Sequence, residues 1–174
     1  MKLLQSSFNY RERGMNTVLY TSVYDTRYGK SRVSSRIGIS EHSNTFDTST
    51  NIFNDIKAVD KNIHCVFVDE AQFLTKQQVK QLCQIVDELN IPVLSYGLRS
   101  DFLGEPFEGS KYLLIYADEL VEVKTICFCG KKAIMNAKFD EHKKIVRAGD
   151  QVDIGGNEKY ISLCRKHFCE GRLK

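Results

Sequence analysis

The sequence contains no long hydrophobic run, and its apolar segments all fall well short of the roughly 18 residues that span a membrane. It also has no apolar core near its beginning of the kind found in secretory signal peptides. These absences predict a cytoplasmic protein that has no membrane as a partner. Because thiols stay reduced in the cytoplasm, the six cysteines are not expected to form a disulfide framework.

A large charge of either sign is absent as well. The formal net charge is +3 over 174 residues, and 42% of the residues are hydrophobic, as in ordinary globular proteins. This length allows one well-formed core with a small additional lobe. Basic residues concentrate in the last third, where two interpretations stay open: a nucleic-acid-binding surface, or compensation of a negatively charged site.

The third absence is a phosphate-binding loop of the form G-x-x-x-x-G-K-[ST], which occurs nowhere in the sequence. Gly29-Lys30-Ser31 resembles the end of such a loop. However, Tyr24 stands where the first glycine is required, and the residues between are bulky. This segment is therefore not expected to hold phosphate.

Strands and helices alternate over the first two thirds of the sequence. The apolar run Ile63–Val68 ends abruptly in two acidic residues, as a buried parallel strand would. The other predicted strands are Thr17–Tyr24, Pro92–Leu98 and Tyr112–Ala117. Thr75-x-x-Gln78 is a capping box that predicts the start of a helix. Together these elements predict an α/β fold with a parallel sheet, whereas the polar segment Ser31–Asn54 is predicted to be mobile surface.

The last third carries four potential metal ligands, arranged as Cys127-x-Cys129 and Cys164-x-x-His167. Three thiols and an imidazole on two short turns are typical of a closed tetrahedral zinc site, which leaves no position open for catalysis. The alternative is a set of core cysteines with a surface histidine, but the polar, turn-like surroundings favour structural zinc. Residues 123–174 are therefore predicted to form a zinc-stapled lobe, since so short a segment has little core of its own.

Asp69 and Glu70 follow the predicted buried strand directly. Ligands of open α/β sheets bind at the carboxyl ends of the strands. An aspartate there suits Mg²⁺ bound to phosphates, and the glutamate suits a general base in phosphoryl transfer. The alternative is a turn that merely favours acidic residues, and the pair alone does not decide between the two.

Three phenylalanines follow predicted strand ends and could flank a flat base, although their spacing alone favours ordinary core packing. These are Phe73, Phe102 and Phe107. Gly155-Gly156, shortly before Tyr160, could bring the backbone close to a ligand or form an ordinary flexible turn.

Four stretches together resemble the cellular, type II thymidine kinases, in their bacterial branch, and the resemblance runs from Leu3 to the end. The stretches are VDEAQFLTKQQV (68–79), YGLRSDFLGEPF (96–107), KTICFCGKKA (124–133) and IGGNEKYISLCRKHF (154–168). The resemblance implies phosphorylation of the thymidine 5′-hydroxyl with ATP and Mg²⁺, in the salvage of DNA precursors. It also implies a nucleotide-binding α/β domain, placed here at residues 1–122, a small zinc-bearing domain, and a homotetramer.

The resemblance also assigns roles to residues. Glu70 matches the catalytic base, and four zinc ligands match Cys127, Cys129, Cys164 and His167, in a bacterial variant of the four-cysteine form. The segments that contact ATP match Asp25, Thr26, Arg27, Asp69, Glu70, Ala71 and Gln72. The thymidine site, which a loop covers through backbone contacts, is predicted at Phe73, Leu98, Phe102, Phe107, Gln151, Val152, Asp153, Ile154, Gly155 and Tyr160.

One part of the family pattern is not found in the 174 residues. The family begins with a strand and a phosphate loop, and the helix after that loop matches Leu3–Arg13. A longer enzyme is expected to supply the loop, and the 174-residue form itself is expected to bind ATP weakly and phosphorylate thymidine poorly. Two alternatives stay open: a non-catalytic relative that binds nucleosides or oligomerises, and a zinc-ribbon protein that binds nucleic acid. Few aromatics accompany the basic residues, so nucleic acid is not expected as a partner.

Overall fold

The structure, a computed structural model, describes residues 2–25, 31–34, 38–59, 62–151 and 159–174. The chain forms two compact units. The first, called here the sheet unit, comprises Met1–Leu98 and Glu108–Tyr116. The second, called the cysteine unit, comprises Arg99–Phe107 and Ala117–Lys174. The predicted division after residue 122 stays a prediction.

The sheet unit is built on a four-stranded parallel sheet with the strand order β4-β1-β5-β6. Its strands are β1 (Asn16–Ser22), β4 (Asn44–Phe46), β5 (Ile63–Val68) and β6 (Val93–Ser95). β5 lies in the middle, and its residues from Cys65 to Val68 are fully buried. A strand that is covered on both faces is apolar throughout, which explains why this run could be recognised in the sequence. The α/β prediction is confirmed.

Helices cover both faces of this sheet. They are α1 (Lys2–Glu12), α2 (Ile52–Lys57), α3 (Lys76–Leu89) and α4 (Glu108–Tyr116), with a 3₁₀ helix at Ala71–Phe73. Side chains alternate along β5: Val66 and Val68 pack in the cluster that contains residues of α2 and α3, whereas Cys65 and Phe67 pack with residues of α1. The predicted capping box at the start of α3 is confirmed, with both of its hydrogen bonds present.

Two predictions about the sheet unit are wrong. Tyr112–Ala117 is not a strand, because residues 108–116 form α4; Tyr112 and Leu113 pack on the core, while the next three side chains face solvent. Ser31–Asn54 is not simply mobile surface, because it contains the antiparallel pair β2 (Arg32–Ser34) and β3 (Ser40–His42), and also β4. β4 pairs with β1 in the central sheet and buries Phe46 there.

In the described residues of the cysteine unit there are two antiparallel strand pairs and a short helix. The pairs are β7 (Thr125–Ile126) with β8 (Lys132–Ala133), and β9 (Met135–Lys138) with β10 (Tyr160–Leu163); α5 spans Arg165–Glu170. Its buried hydrophobic cluster is small: Cys127, Ala133, Ala137, Leu163, Cys164 and Phe168. Two of these six residues are predicted metal ligands. Among the residues that the structure describes, no helix combines the length and apolar character needed to cross a membrane.

Candidate active site and metal centre

Asp69 and Glu70 lie at the carboxyl edge of the parallel sheet, directly after β5. The backbone N–H of Asp69 donates to the carbonyl of Tyr20 at 2.8 Å, and that of Ala71 donates to the carbonyl of Tyr96 at 2.8 Å. These bonds continue the strand pairing past the end of β5 on both sides. The acidic pair is therefore held firmly at the edge where α/β sheets bind ligands.

Glu70 has an unusual backbone conformation, with φ 51° and ψ 37° in the left-handed region. Such a conformation costs a residue other than glycine of order 1 kcal/mol and is found most often at functional sites. The side chain is held by Gln72, whose Nε2 donates to Glu70 Oε2 at 2.6 Å. The conformation and this hydrogen bond together fix where the carboxylate points.

Gln72 is itself locked in place. It is buried, and its Oε1 accepts the backbone N–H of Leu98 at 3.1 Å. A Cβ at Gly97 would come within 2.7 Å of this oxygen, so the absence of a side chain at residue 97 makes room for the glutamine. The assignment of Gln72 to the ATP side stays a prediction, and its contact with Glu70 could not be read from the sequence.

The carboxyl group of Asp69 is perturbed by its surroundings. Burial raises its pKa to about 6, and the negative charges of Glu70 and Asp25 add to this shift. Asp25 follows β1, the strand beside β5, so the structure brings these three predicted acidic residues to one edge of the sheet. Thr26 and Arg27, the other predicted residues of that segment, lie outside the described residues.

The shifted pKa of Asp69 predicts a pH-dependent stability. A carboxyl pKa raised from 3.8 to about 6 means that the folded protein favours the protonated form of Asp69. The stability that comes from this protonated form is therefore complete below about pH 4 and is lost as the pH rises through 6. Asp69→Asn should therefore match the parent near pH 4 and exceed it by up to about 3 kcal/mol of unfolding free energy at pH 7. Chemical denaturation without added Mg²⁺ measures this, with Asp87→Asn on α3 as the control. An advantage of the variant that grows toward acid pH would contradict it.

Two of the residues predicted to bind thymidine lie in the sheet unit near Gln72. Phe73 makes an edge-to-face type of contact with Tyr24, with 5.5 Å between the ring centroids, and packs against the core. Leu98 is 45% exposed, and its backbone carbonyl accepts a hydrogen bond from the hydroxyl of Ser110. Phe73 thus meets the simpler expectation of core packing, whatever else it contacts.

Phe102, Phe107, Gln151 and Tyr160 lie in the cysteine unit. Both phenylalanines are buried, and the ammonium group of Lys138 lies 5.1 Å from the centroid of the Phe102 ring. The predicted thymidine-site residues Val152, Asp153, Ile154 and Gly155 lie outside the described residues. The structure thus brings Phe102 and Gln151 into one small unit. Gln151 contacts the residue just before Phe102 in the sequence, although 50 residues separate the two contacting residues.

That neighbour is Asp101, a buried residue that the sequence interpretation missed. Its carboxylate accepts hydrogen bonds from two backbone amides and from the side chain of Gln151. The pattern Asp101-x-x-Gly104 was a usable signal, since aspartate at the first position and glycine at the fourth favour a type I turn. No sequence pattern indicated, however, that the same carboxylate would reach Gln151.

The four predicted metal ligands come together at one point. The Sγ atoms of the three cysteines and a ring nitrogen of His167 all lie within 4.8 Å of one another. His167 Nδ1 lies 3.4 Å from Cys127 Sγ and 3.5 Å from Cys164 Sγ, while the Sγ atoms of Cys129 and Cys164 are 4.0 Å apart. A tetrahedral zinc with bonds of about 2.3 Å to sulfur and 2.0 Å to nitrogen would separate two sulfurs by about 3.8 Å and sulfur from nitrogen by about 3.5 Å. These three separations therefore fit such an ion, and the remaining donor pairs lie within 4.8 Å of one another.

The surroundings of this cluster also favour a metal. Burial alone would raise the pKa of Cys127, but backbone amides of Cys129 and Cys164 donate to its sulfur and bring the pKa down to about 6. The imidazole of His167 is buried, and the ring of Phe128 stacks on it with centroids 4.4 Å apart. The alternative of a surface histidine is thus wrong, and these four residues could hold a structural metal ion.

Fold and site together define an α/β protein that carries acidic residues at the carboxyl ends of its parallel strands, the edge where such sheets bind ligands. A second, small unit contains a potential metal centre. A profile of the thymidine kinase family matches residues 1–168. A thymidine kinase of Aliivibrio fischeri is 59% identical over 170 residues, which cover 97% of this chain and 88% of that protein. Thymidine kinases of Vibrio vulnificus (strain CMCP6) and Salmonella choleraesuis are each 58% identical, over 97% and 95% of this chain and 88% and 82% of their own. The chain belongs to the thymidine kinase family.

Proposed function

We propose that this protein is a thymidine kinase, which transfers the γ-phosphoryl group of ATP to the 5′-hydroxyl of thymidine in deoxynucleoside salvage. The observation that carries the proposal is the geometry of Glu70: a carboxylate at the carboxyl edge of a parallel sheet, fixed by its own backbone and by Gln72. Membership of the family supports the reaction class, a phosphotransfer to an alcohol group. It does not favour the nucleic-acid-binding alternative.

In this proposal Glu70 accepts the proton of the 5′-hydroxyl as the oxygen of that hydroxyl bonds to the γ-phosphorus of ATP. The bond from the γ-phosphorus to the bridging oxygen breaks, and ADP leaves with that oxygen. Because phosphoryl transfer depends mostly on positioning and charge, the fixed carboxylate contributes by orienting the nucleophile as well as by accepting its proton. Mg²⁺, bound with ATP, would neutralise phosphate charge, and Asp69 would hold it through water.

The remaining roles are proposed from the family pattern. On the ATP side we include Asp25, Thr26, Arg27, Asp69, Ala71 and Gln72. On the thymidine side we include Phe73, Leu98, Phe102, Phe107, Gln151, Val152, Asp153, Ile154, Gly155 and Tyr160. We propose Zn²⁺ as the metal held by the four-residue cluster, where it would be structural because the protein supplies all four ligands. A cytoplasmic homotetramer is the proposed form.

The proposal is tested by incubating the protein, isolated with its natural N-terminus, with MgATP and thymidine. ADP release that depends on thymidine, with thymidine 5′-monophosphate identified by chromatography, is the expected result, and deoxyadenosine serves as the control nucleoside. Calorimetric titration with thymidine is measured in parallel. A protein that binds thymidine tightly but never phosphorylates it would overturn the kinase proposal and favour the non-catalytic nucleoside-binding alternative.

A further inference from the structure

The turn that carries Phe102 is organised around the carboxylate of Asp101. Oδ1 of this residue accepts the backbone N–H of Leu103 at 2.9 Å and that of Glu105 at 2.9 Å. Its own N–H donates to the carbonyl of Glu105 at 2.9 Å. The turn is closed at its base by a β-bridge between Ser100 and Pro106. Asp101 is only 3% exposed, so its charge has been removed almost entirely from water.

The cysteine unit contains a second turn of the same construction, which serves as an internal comparison. There, the carboxylate of Asp140 accepts the N–H of Lys144 at 2.8 Å, and the N–H of Asp140 donates to the carbonyl of Lys144 at 2.9 Å. A bridge between Phe139 and Ile145 closes the base. Asp140 is exposed, in contrast to Asp101. A single carboxylate oxygen on the solvent side is therefore enough to close this kind of turn.

Asp101 does more than its counterpart. Its second oxygen, Oδ2, accepts the side-chain amide of Gln151 at 3.0 Å, and this amide also lies 3.5 Å from the carbonyl of Pro106 at the base of the turn. A buried carboxylate is costly unless its oxygens are hydrogen-bonded, so turn closure alone would not explain its burial. The contact with Gln151 accounts for the second oxygen.

A second contact joins the same two segments. The Phe102 ring lies against Gly149, where an added Cβ would be 3.7 Å from the ring atom Cζ. Gly149 has φ +134°, a conformation that residues with side chains rarely adopt. Residues 101–102 thus contact residues 149–151 at two points, through the Asp101 carboxylate and through the Phe102 ring. These two contacts are called here the clamp, and two of its described residues, Phe102 and Gln151, are proposed to face thymidine.

We propose that Asp101 is a positioning residue for the nucleoside: it holds Phe102 and Gln151 in one fixed arrangement, so that thymidine binds to a preformed surface. This inference rests on the proposed function. Asp101 itself need not touch the nucleoside, and its effect is on binding rather than on phosphoryl transfer. Loss of the carboxylate lets both segments move, so that thymidine binding must then order them. The conformational entropy lost in this ordering weakens the affinity for thymidine.

The test compares Asp101→Ala, Asp101→Asn and the control Asp140→Ala, each in the protein with its natural N-terminus. Asp101→Ala should raise KM and the calorimetric Kd for thymidine by about tenfold or more, with KM for ATP and kcat changed less than about twofold. Asp101→Asn should lie close to the parent, because its oxygen still accepts the turn amides and the Gln151 amide can rotate to accept from its NH₂ group. Asp140→Ala should leave all four constants unchanged.

A polarity swap keeps the test decisive if Asp101→Ala does not fold. Gln151→Glu alone places two carboxylates together and should raise KM for thymidine. Adding Asp101→Asn restores one donor and one acceptor, and should bring KM back to within about threefold of the parent. The proposal requires this rescue because the double variant restores the hydrogen bond between residues 101 and 151 with its donor and acceptor exchanged. A double variant that binds thymidine as weakly as Gln151→Glu alone would overturn the proposal.

Two further outcomes separate this inference from the function on which it rests. In the first, the parent protein phosphorylates thymidine, and Asp101→Ala lowers the melting temperature but leaves the Kd for thymidine unchanged. This outcome overturns the positioning role alone. Parent protein that neither binds nor phosphorylates thymidine overturns the proposed function, and the positioning role with it.

Discussion

Replacement of Glu70 by glutamine is expected to lower the rate of thymidine phosphorylation by about 10²–10⁴, the usual loss when a positioned general base is removed. Glutamine has nearly the same shape and retains one side-chain oxygen, so the hydrogen bond from Gln72 can persist. What the variant loses is the ability to accept the proton of the 5′-hydroxyl. The Kd for thymidine should therefore stay within about threefold of the parent, and kcat should carry nearly the whole effect.

The measurement is single-turnover kinetics on an active preparation, together with calorimetric titration of thymidine. Glu88→Gln, an exposed position on α3, is the matched control and should leave the rate unchanged. Full turnover by the Glu70→Gln variant would show that another group takes the proton. Equal losses in thymidine affinity and in rate would instead assign Glu70 to nucleoside binding.

The parts of the site that the sequence predicted well share one property: their physics is local. β5 was visible because a strand buried on both faces is a nearly continuous apolar run, interrupted here only by the half-buried His64, and the acidic pair marks its end. The start of α3 was visible because Thr75 and Gln78 cap each other within one turn. The metal ligands were visible because each half of the cluster lies on a single short segment.

The errors arose where tertiary packing decided the structure. Tyr112–Tyr116 is apolar enough to suit a strand or a helix, and periodicity cannot separate the two in so short a run. Burial of one side of α4 on the sheet unit decided the matter. β4 has three residues in a polar segment, and only its pairing with β1 makes it a strand. No local pattern could have revealed it.

The contacts that orient the site could not be predicted from the sequence either. Gln72 reaches the amide of Leu98 across 26 residues, and Gln151 reaches Asp101 across 50. Single glutamine and aspartate side chains carry no signature of such distant partners. The burial of His167 belongs to the same class, because only the folded chain distinguishes a buried ligand from a surface histidine.

Removal of zinc is expected to unfold the cysteine unit and leave the sheet unit folded. Cys127 and Cys164 belong to the buried cluster of the cysteine unit, whose other members include two alanines, so little apolar area remains to stabilise it without a metal. Structural zinc contributes about 10–16 kcal/mol of apparent binding free energy in zinc-finger peptides, more than such a core can replace. The sheet unit has a cluster of twelve buried hydrophobic residues on one face of its sheet and a second cluster, of six, on the other.

Metal analysis of the purified protein should give one zinc per chain, and Cys164→Ser should reduce this ratio sharply. Hydrogen exchange should then show loss of protection in β9, β10 and α5, with β1 and β5 still protected. Cys169→Ser is the control, because that exposed thiol lies only two residues beyond His167 yet outside the four-ligand cluster. The four ligands lie at the two ends of the segment between Cys127 and His167. If that segment stayed protected in a zinc-free protein, packing alone would fold the unit, and the metal would have no structural role.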